Sequence, residues 1–555
     1  MTDWSSTSGV GAGGMNCELH FGYRDESAYV AAVQQLVEDK VASQIAVRTP
    51  TLWGPAAEPE SAKRLAWVGL AEESRPLVFE IAELKAKLNE AGLDHVVLCG
   101  MGGSSLAPEV ICRTDDVELT VLDSSDPDYV RAALGDRLER SIVVVSSKSG
   151  GTVETDSQRR AYEKALTGIG RKPADHIVVV TDPGSPLDTS ATAAGYTVFH
   201  ANPDVGGRYS ALTAFGLVPS GLAGADIDRL LGEAAAIQDA LESDDVENPG
   251  LRLGALLGVA NRAGADKVVL AEHGSGIVGF GDWAEQLIAE STGKDGKGIL
   301  PVVVPDVSAP NFDPNTPDEV LVTIGDLCDS VRPASGYGAS VKAPLGAQML
   351  LWEYAVVVAG RLIGINPFDQ PDVESAKAAA REMLDGKGES PKPAFSDGPV
   401  EVYATEGLLG ADVDTVADAV AALLAQLDDQ RGYLAVMAYL DRLVDAPLAS
   451  AREALANRTG RPTTFGWGPR FLHSTGQYHK GGPAVGVFLQ VSTTPDQDLE
   501  VPDRPFTFGG FIASQVAGDA AVLAQHGRPV LRLHLTDHDA GLAVVREVLQ
   551  RSSVR

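Results

Sequence analysis

Short runs of β-branched and apolar residues that alternate with helical segments set the tightest limit on what this chain can fold into. His95–Cys99, Glu118–Leu122, Ser141–Ser146 and His176–Thr181 are such runs, separated by helical or turn-rich stretches. Strands interleaved with helices pair in parallel, with the helices covering both faces of the sheet. A polar, acidic break at Ser243-Asp-Asp-Val-Glu-Asn-Pro-Gly250 closes this series, and Lys267–Leu270, Leu300–Val304 and Glu319–Ile324 start a second one. Beyond the linker-like Asp385-Gly-Lys-Gly-Glu-Ser-Pro-Lys-Pro393, further strands are predicted at Tyr433–Tyr439, Val485–Gln490 and Val530–Leu535. The expected fold is α/β, with two lobes that are each a mainly parallel sheet flanked by helices, and a C-terminal α/β extension. Residues 1–60 read as an N-terminal segment with helices, 61–245 as the first lobe, 246–390 as the second, and 391–555 as a region completing the second lobe and the active site. Within the first of these, residues 1–16 are Gly/Ser-rich and read as mobile, and helical patterns run from Asp25 to Ala42 and from Ser74 to Ala91.

Charge narrows the partners. The chain has 45 basic against 76 acidic residues, a formal charge of -31, which argues against nucleic acid or an anionic membrane as a partner. An anionic small molecule must then be held by local donors. Cys17, Cys99, Cys112 and Cys328 lack metal-ligand or redox spacing, so buried reduced thiols are expected. The start, Met1-Thr-Asp-Trp-Ser-Ser, has no basic and apolar export signal, and apolar runs such as Ala355–Ala359 are cut by Gly360 and Arg361. The expected compartment is the cytoplasm.

Two loops suit a phosphate. The strand His95–Cys99 runs into Gly100-Met-Gly-Gly-Ser-Ser105, and Ser141–Ser146 runs into Ser147-Lys-Ser-Gly-Gly-Thr152. Each supplies hydroxyls and exposed backbone N–H groups before a helical segment, at the carboxyl ends of strands where open parallel sheets bind ligands. Dinucleotide binding fits less well, because Ser105 stands where the third glycine of that fingerprint belongs, although Asp123 lies at a fitting distance. The order glycine, lysine, Ser/Thr of a P-loop is absent from the second loop.

The segment Gln286-Leu-Ile-Ala-Glu290-Ser-Thr-Gly-Lys294 places an amide and a carboxylate one turn apart on one helix face. Asp282, with Glu285 in the capping-box position, is expected to start this helix, and Gly293 to end it in a left-handed turn. Glu290 then falls in the last turn. There the helix dipole disfavours a carboxylate and makes it a better proton acceptor.

Together these segments resemble the glucose-6-phosphate isomerase family over roughly residues 60–490. Gly100–Ser104 resembles its GIGGS loop, Ser147–Thr155 its SKTFTTxET segment, Gly206–Ser210 its GGRYS motif, Gln286–Lys294 its QLxxESNGK motif, and Asn366–Lys377 its NxFDQxxVExxK signature. Gly468–Pro483 is similar to a segment of the divergent branch that is fused to transaldolase in some bacteria. The resemblance implies an aldose-ketose isomerase acting on glucose 6-phosphate and fructose 6-phosphate through a cis-enediol, with no metal or other cofactor. It implies that Gly103, Ser104, Ser147, Ser149 and Thr152, with the Lys148 backbone and Gln370, hold the sugar phosphate and that Gln286 orients the sugar. Glu290 is implied as the base and Arg208 as the cation beside the enediolate, with Lys377 near the ring oxygen. The family's ring-opening histidine normally lies between the glutamate and FDQ motifs, where this chain has none. Either His473 or His479, in the segment with Lys480, opens the ring with Lys377, or the enzyme relies more on the open-chain substrate; contact of the His479–Lys480 pair with the phosphate is the other reading of that segment. A homodimer with composite sites is also implied. Mannose 6-phosphate as substrate, a non-catalytic sugar-phosphate sensor and an NAD-dependent oxidoreductase are the other readings; a sensor would need the phosphate loops but not Glu290.

Overall fold

The computed structural model describes residues 5–10, 16–313, 315–328, 331, 336–373, 381, 384 and 392–551. Three sheets organise them. The first contains five parallel strands in the spatial order Thr120–Leu122, His95–Gly100, Ser141–Ser146, Ile177–Thr181, Thr197–His200. The second places Leu300–Val304, Lys267–His273, Glu319–Gly325 and Tyr337–Lys342 in parallel, then adds Asn16–Gly22 and Ser5–Val10 antiparallel at the edge. The strand Ser5–Val10 lies in a segment expected to be mobile.

The C-terminal strands do not join the second sheet. They form a third one: Thr463–Trp467, Tyr433–Tyr439, Gly486–Thr493 and Val530–Leu535 in parallel, with Val400–Ala404 and Phe395–Asp397 antiparallel at the edge. Its parallel strands repeat the order of the second sheet, including the edge hairpin contributed from upstream in the chain. In all three sheets the first two parallel strands are swapped in space, so a crevice opens between the first and third strands, where the chain reverses direction across the sheet.

Alternation along each strand decides what it joins. Val268, Leu270, Val320 and Val322 pack in one continuous core with Val96, Leu98, Ile142 and Val144 of the first sheet. The intervening Val269, Ala271 and Leu321 face the other way, into a core shared with Tyr433, Met437 and Phe488 of the third sheet. The second sheet is thus buried on both faces, which explains its unbroken apolar runs. The first sheet turns Val97, Cys99, Val143 and Val145 to its second face, where Val501 and Phe508 from the C-terminal part join the cluster. Cys17, Cys99 and Cys112 are buried thiols. Among the described residues, no helix is long and apolar enough to cross a membrane.

Candidate active site

The loops after His95–Gly100 and Ser141–Ser146 leave from adjacent strands, one connection running to each side, and so border the crevice of the first sheet. A Cβ on Gly103 would lie 2.0 Å from the carbonyl oxygen of Gly207, so only glycine lets this loop lie against the turn that carries Arg208. Ser104 is buried beside it. The Ser147 hydroxyl donates to Thr152 Oγ1 at 3.2 Å, and the exposed Ser149 hydroxyl accepts from the Gly151 N–H at 3.2 Å. The helix Val153–Gly168 starts directly after Thr152, whose hydroxyl does not cap it, and its positive end faces the loop. The Lys148 ammonium is occupied by Asp182 (2.7 Å) and the Pro203 carbonyl (3.2 Å), which leaves its backbone to the loop.

Glu290 lies in the last turn of the helix Phe280–Thr292, as the spacing predicted, and Gly293 ends that helix as expected, but Asp282 does not start it. Gly279 precedes the helix with φ +83°, and the Phe280 N–H donates to Glu272 Oε1 at 2.7 Å, while Asp282 sits inside the first turn. Gly293 has φ −77°, not a left-handed turn. Its need for glycine is steric: a Cβ there would lie 2.4 Å from Tyr478 Cα, where the C-terminal part presses on the helix end.

Glu290 is 5% exposed and Arg208 3%. Arg208 Nη1 lies 3.5 Å from Glu290 Oε2, and the Gln286 amide donates to the same oxygen at 3.3 Å. The guanidinium also donates to Ser291 Oγ (2.9 Å), Gln370 Oε1 (2.8 Å) and the carbonyls of Pro367 (2.8 Å) and Asp369 (2.9 Å). Lys294 reaches the same loop, donating to the Asp369 carbonyl (2.6 Å) and carboxylate (2.7 Å). Two buried cations therefore fix the loop that presents Gln370. Burial first, and then the Arg208 charge, push the Lys294 pKa down to about 8.

The third sheet contributes His473. Its Nε2 is 3.1 Å from Glu154 Oε1, and the Gln515 amide donates to that same oxygen at 2.7 Å. His473 also lies against Gly102 of the first loop, beside Gln286. With Ser149, Thr152, Glu154 and Gln515 it lines a cavity of about 320 Å³. His479 and Lys480 are not brought to the loops. His479 Nδ1 is 3.0 Å from the Tyr433 hydroxyl, and its ring packs on Tyr433 and Phe488; burial above all, with Lys480 and Arg528 adding to it, pushes its pKa well below the ordinary range. Lys480 is buried on Asp519 at 2.7 Å. Lys377 lies outside the described residues. Glu154 and Lys294 stand inside segments already singled out by sequence but without an assigned role; Gln515 carries no local signal.

Among solved structures, the fold is similar to that of a glucose-6-phosphate isomerase from Chlamydia trachomatis D/UW-3/Cx, with TM-score 0.56 and 21% identity over 70% of this chain and 90% of that one. It is equally similar to a hypothetical protein from Thermus thermophilus, with TM-score 0.56 and 22% identity over 66% of this chain and 99% of that one. The architecture is thus an α/β fold of mainly parallel sheets flanked by helices, shared with these structures. At the level of sequence, the family profile described as Phosphoglucose isomerase matches residues 83–299, a span holding four of the motifs above. The probable glucose-6-phosphate isomerase of Haloarcula marismortui is 30% identical over 54% of this chain and 79% of its own length. The glucose-6-phosphate isomerase of Pediococcus pentosaceus is 31% identical over 54% and 75%. This chain belongs to the phosphoglucose isomerase family.

Proposed function

We propose that this enzyme interconverts glucose 6-phosphate and fructose 6-phosphate by moving one proton between C1 and C2. The observation that carries the reading is the buried pairing of Glu290 with Arg208, whose turn packs against the first hydroxyl-bearing loop. A carbon next to a carbonyl gives up its proton when a carboxylate is held within hydrogen-bond reach and a fixed cation meets the oxygen that gains charge. Glu290 takes the proton from one carbon and returns it to the other. Arg208 faces the enediolate oxygens, while Ser104, Ser147, Ser149, Thr152 and the Lys148 and Gly103 backbone hold the phosphate, with Gln286 and Gln370 on the sugar. His473, oriented by Glu154, donates a proton to the ring oxygen as its bond to the anomeric carbon breaks, while the anomeric hydroxyl gives its proton to solvent and becomes the carbonyl; ring closure runs the same transfers in reverse.

A coupled assay that follows glucose 6-phosphate formed from fructose 6-phosphate should show turnover. Arg208→Lys should lower kcat by about 10²-fold, because an ammonium cannot reproduce the planar fork that meets a developing charge and four fixed acceptors together. A wild-type kcat in this variant would remove Arg208 from the reaction.

Lys294 sets an alkaline limit. Below about pH 8 it is charged and holds Asp369, so Gln370 stays presented; above that pH the charge is lost. kcat/KM should fall as pH rises through about 8, and Lys294→Arg should remove the fall. Unfolding does not explain such a loss: the folded pKa lies below the ordinary lysine value, so the unfolded chain binds more protons in this window and Lys294 adds stability as pH rises. Matched kcat/KM and Tm profiles separate the two effects.

A further inference from the structure

A buried knot of charge lies beside the proposed site without joining its chemistry. Arg470 stands at the start of the turn Arg470–His473 and is largely buried. Its guanidinium lies 2.6 Å from Glu109, 3.2 Å from Asp123 and 3.6 Å from Asp282. Two of these acids belong to elements that also build the site, and the third follows a strand next to one of them. Glu109 is on the helix Leu106–Thr114 that leaves the first phosphate loop, Asp123 follows the neighbouring strand, and Asp282 is on the helix of Gln286 and Glu290. On the far side of His473, the Ser474 hydroxyl donates to Glu285 Oε1 at 3.0 Å, again on the base-bearing helix.

We propose that Arg470 is the positioning residue that sets His473 over the phosphate loop, by tying its turn at once to the element carrying that loop and to the helix carrying Glu290. This rests on the reading of His473 as the ring-opening group. A turn bonded to one lobe alone could swing by an ångström while the lobes stayed in place, and a shift of that size is enough to uncouple a proton donor from its target. Arg470 opposes this because its three carboxylate partners, held at ion-pair distance, come from both lobes and add to the ties of His473 to Glu154 and of Ser474 to Glu285. Its pairing with Glu109 persists through the working pH range: burial would raise the Glu109 carboxyl, but Arg470 and Arg442 hold it down at about 2. Arg442 comes from a different loop and lies 2.8 Å from Glu109 and 3.4 Å from Asp123, so both acids keep a partner when Arg470 is replaced. The substitution thus acts on the turn more than on the fold.

The test is a double-mutant cycle read with two substrates: fructose 6-phosphate, which must open its ring, and its 5-deoxy analogue, which has no C5 hydroxyl with which to close one. Arg470→Gln should lower kcat on fructose 6-phosphate by on the order of 10- to 100-fold, leave KM little changed, and leave the open-chain analogue within about twofold. The double variant Arg470→Gln/His473→Asn should be no slower than His473→Asn alone. Equal losses on both substrates, or losses that multiply in the double variant, would overturn the assignment. Arg470→Lys keeps the charge with one donor direction instead of a fork and should show a smaller loss of the same pattern, which serves if the glutamine variant folds poorly. If His473→Asn shows a ring-specific loss and neither Arg470 variant does, only this inference falls; if His473→Asn shows none, the ring-opening reading falls with it.

Discussion

Replacing Glu290 with glutamine is expected to lower isomerase turnover by about 10³-fold or more, the range in which a positioned general base contributes. The substitution is nearly isosteric. A glutamine oxygen can still accept from Arg208 and Gln286, so the local geometry is kept while the group that takes a proton is gone. Arg208 loses a charge partner but retains Ser291, Gln370 and two backbone carbonyls, which limits the stability cost to about 1–3 kcal/mol. Binding of the phosphate ester should change little, because the loops at Ser104 and Ser147–Thr152 do not involve Glu290. Two measurements define the result: steady-state turnover, and exchange of the C1 hydrogen of fructose 6-phosphate in deuterated water, which reports proton removal without completed isomerisation. Both should collapse together. A variant that still exchanges that hydrogen at the normal rate would place the base elsewhere, and a wild-type protein that binds sugar phosphate without exchanging it would be a sensor.

How much of this was legible in the sequence depends on burial. Leu300–Val304 and Tyr433–Tyr439 are legible to the residue because each is a continuous apolar run packed between layers, and Val530–Leu535 because Arg532 and His534 alternate with buried apolar neighbours. Thr197–His200 was missed: it is a short edge strand, largely open to solvent, and its composition does not distinguish it from a loop. Asn16–Gly22 did carry a signal, since Cys17, Leu19 and Phe21 alternate inward, but the Gly/Ser-rich start beside it masked the pattern. The helix of Glu290 and its closing Gly293 are legible, but its start and the conformation of its end are not, because both answer to distant parts of the chain, Glu272 at the start and Tyr478 at the end. The same limit governs the site. The two hydroxyl-bearing loops and the Gln286–Glu290 pair are local and show in the spacing. The contacts of His473 with Glu154 and of Glu154 with Gln515 join positions 319 and 361 residues apart, and no local pattern reports them.

His473→Asn should slow fructose 6-phosphate by about 10²-fold, the scale of a lost acid–base group, while sparing the 5-deoxy analogue, whose reaction starts at the open chain. Asparagine can still donate to Glu154 but cannot pass a proton, so the effect isolates chemistry from placement. Equal slowing of both substrates would make His473 a structural contact. This residue also decides how many chains a site needs. The third sheet packs on the second through the core that includes Tyr433 and Phe488, and its His473 already touches Glu154 and Gly102 of the same chain. A mixture of Glu290→Gln and His473→Asn proteins, unfolded and refolded together to exchange any subunits, should therefore show no more activity than the sum of its parts, because every chain carries one defect in its own site. Recovery of activity above that sum would mean that His473 works on a neighbouring subunit, and that the contact made within one chain is not the working one.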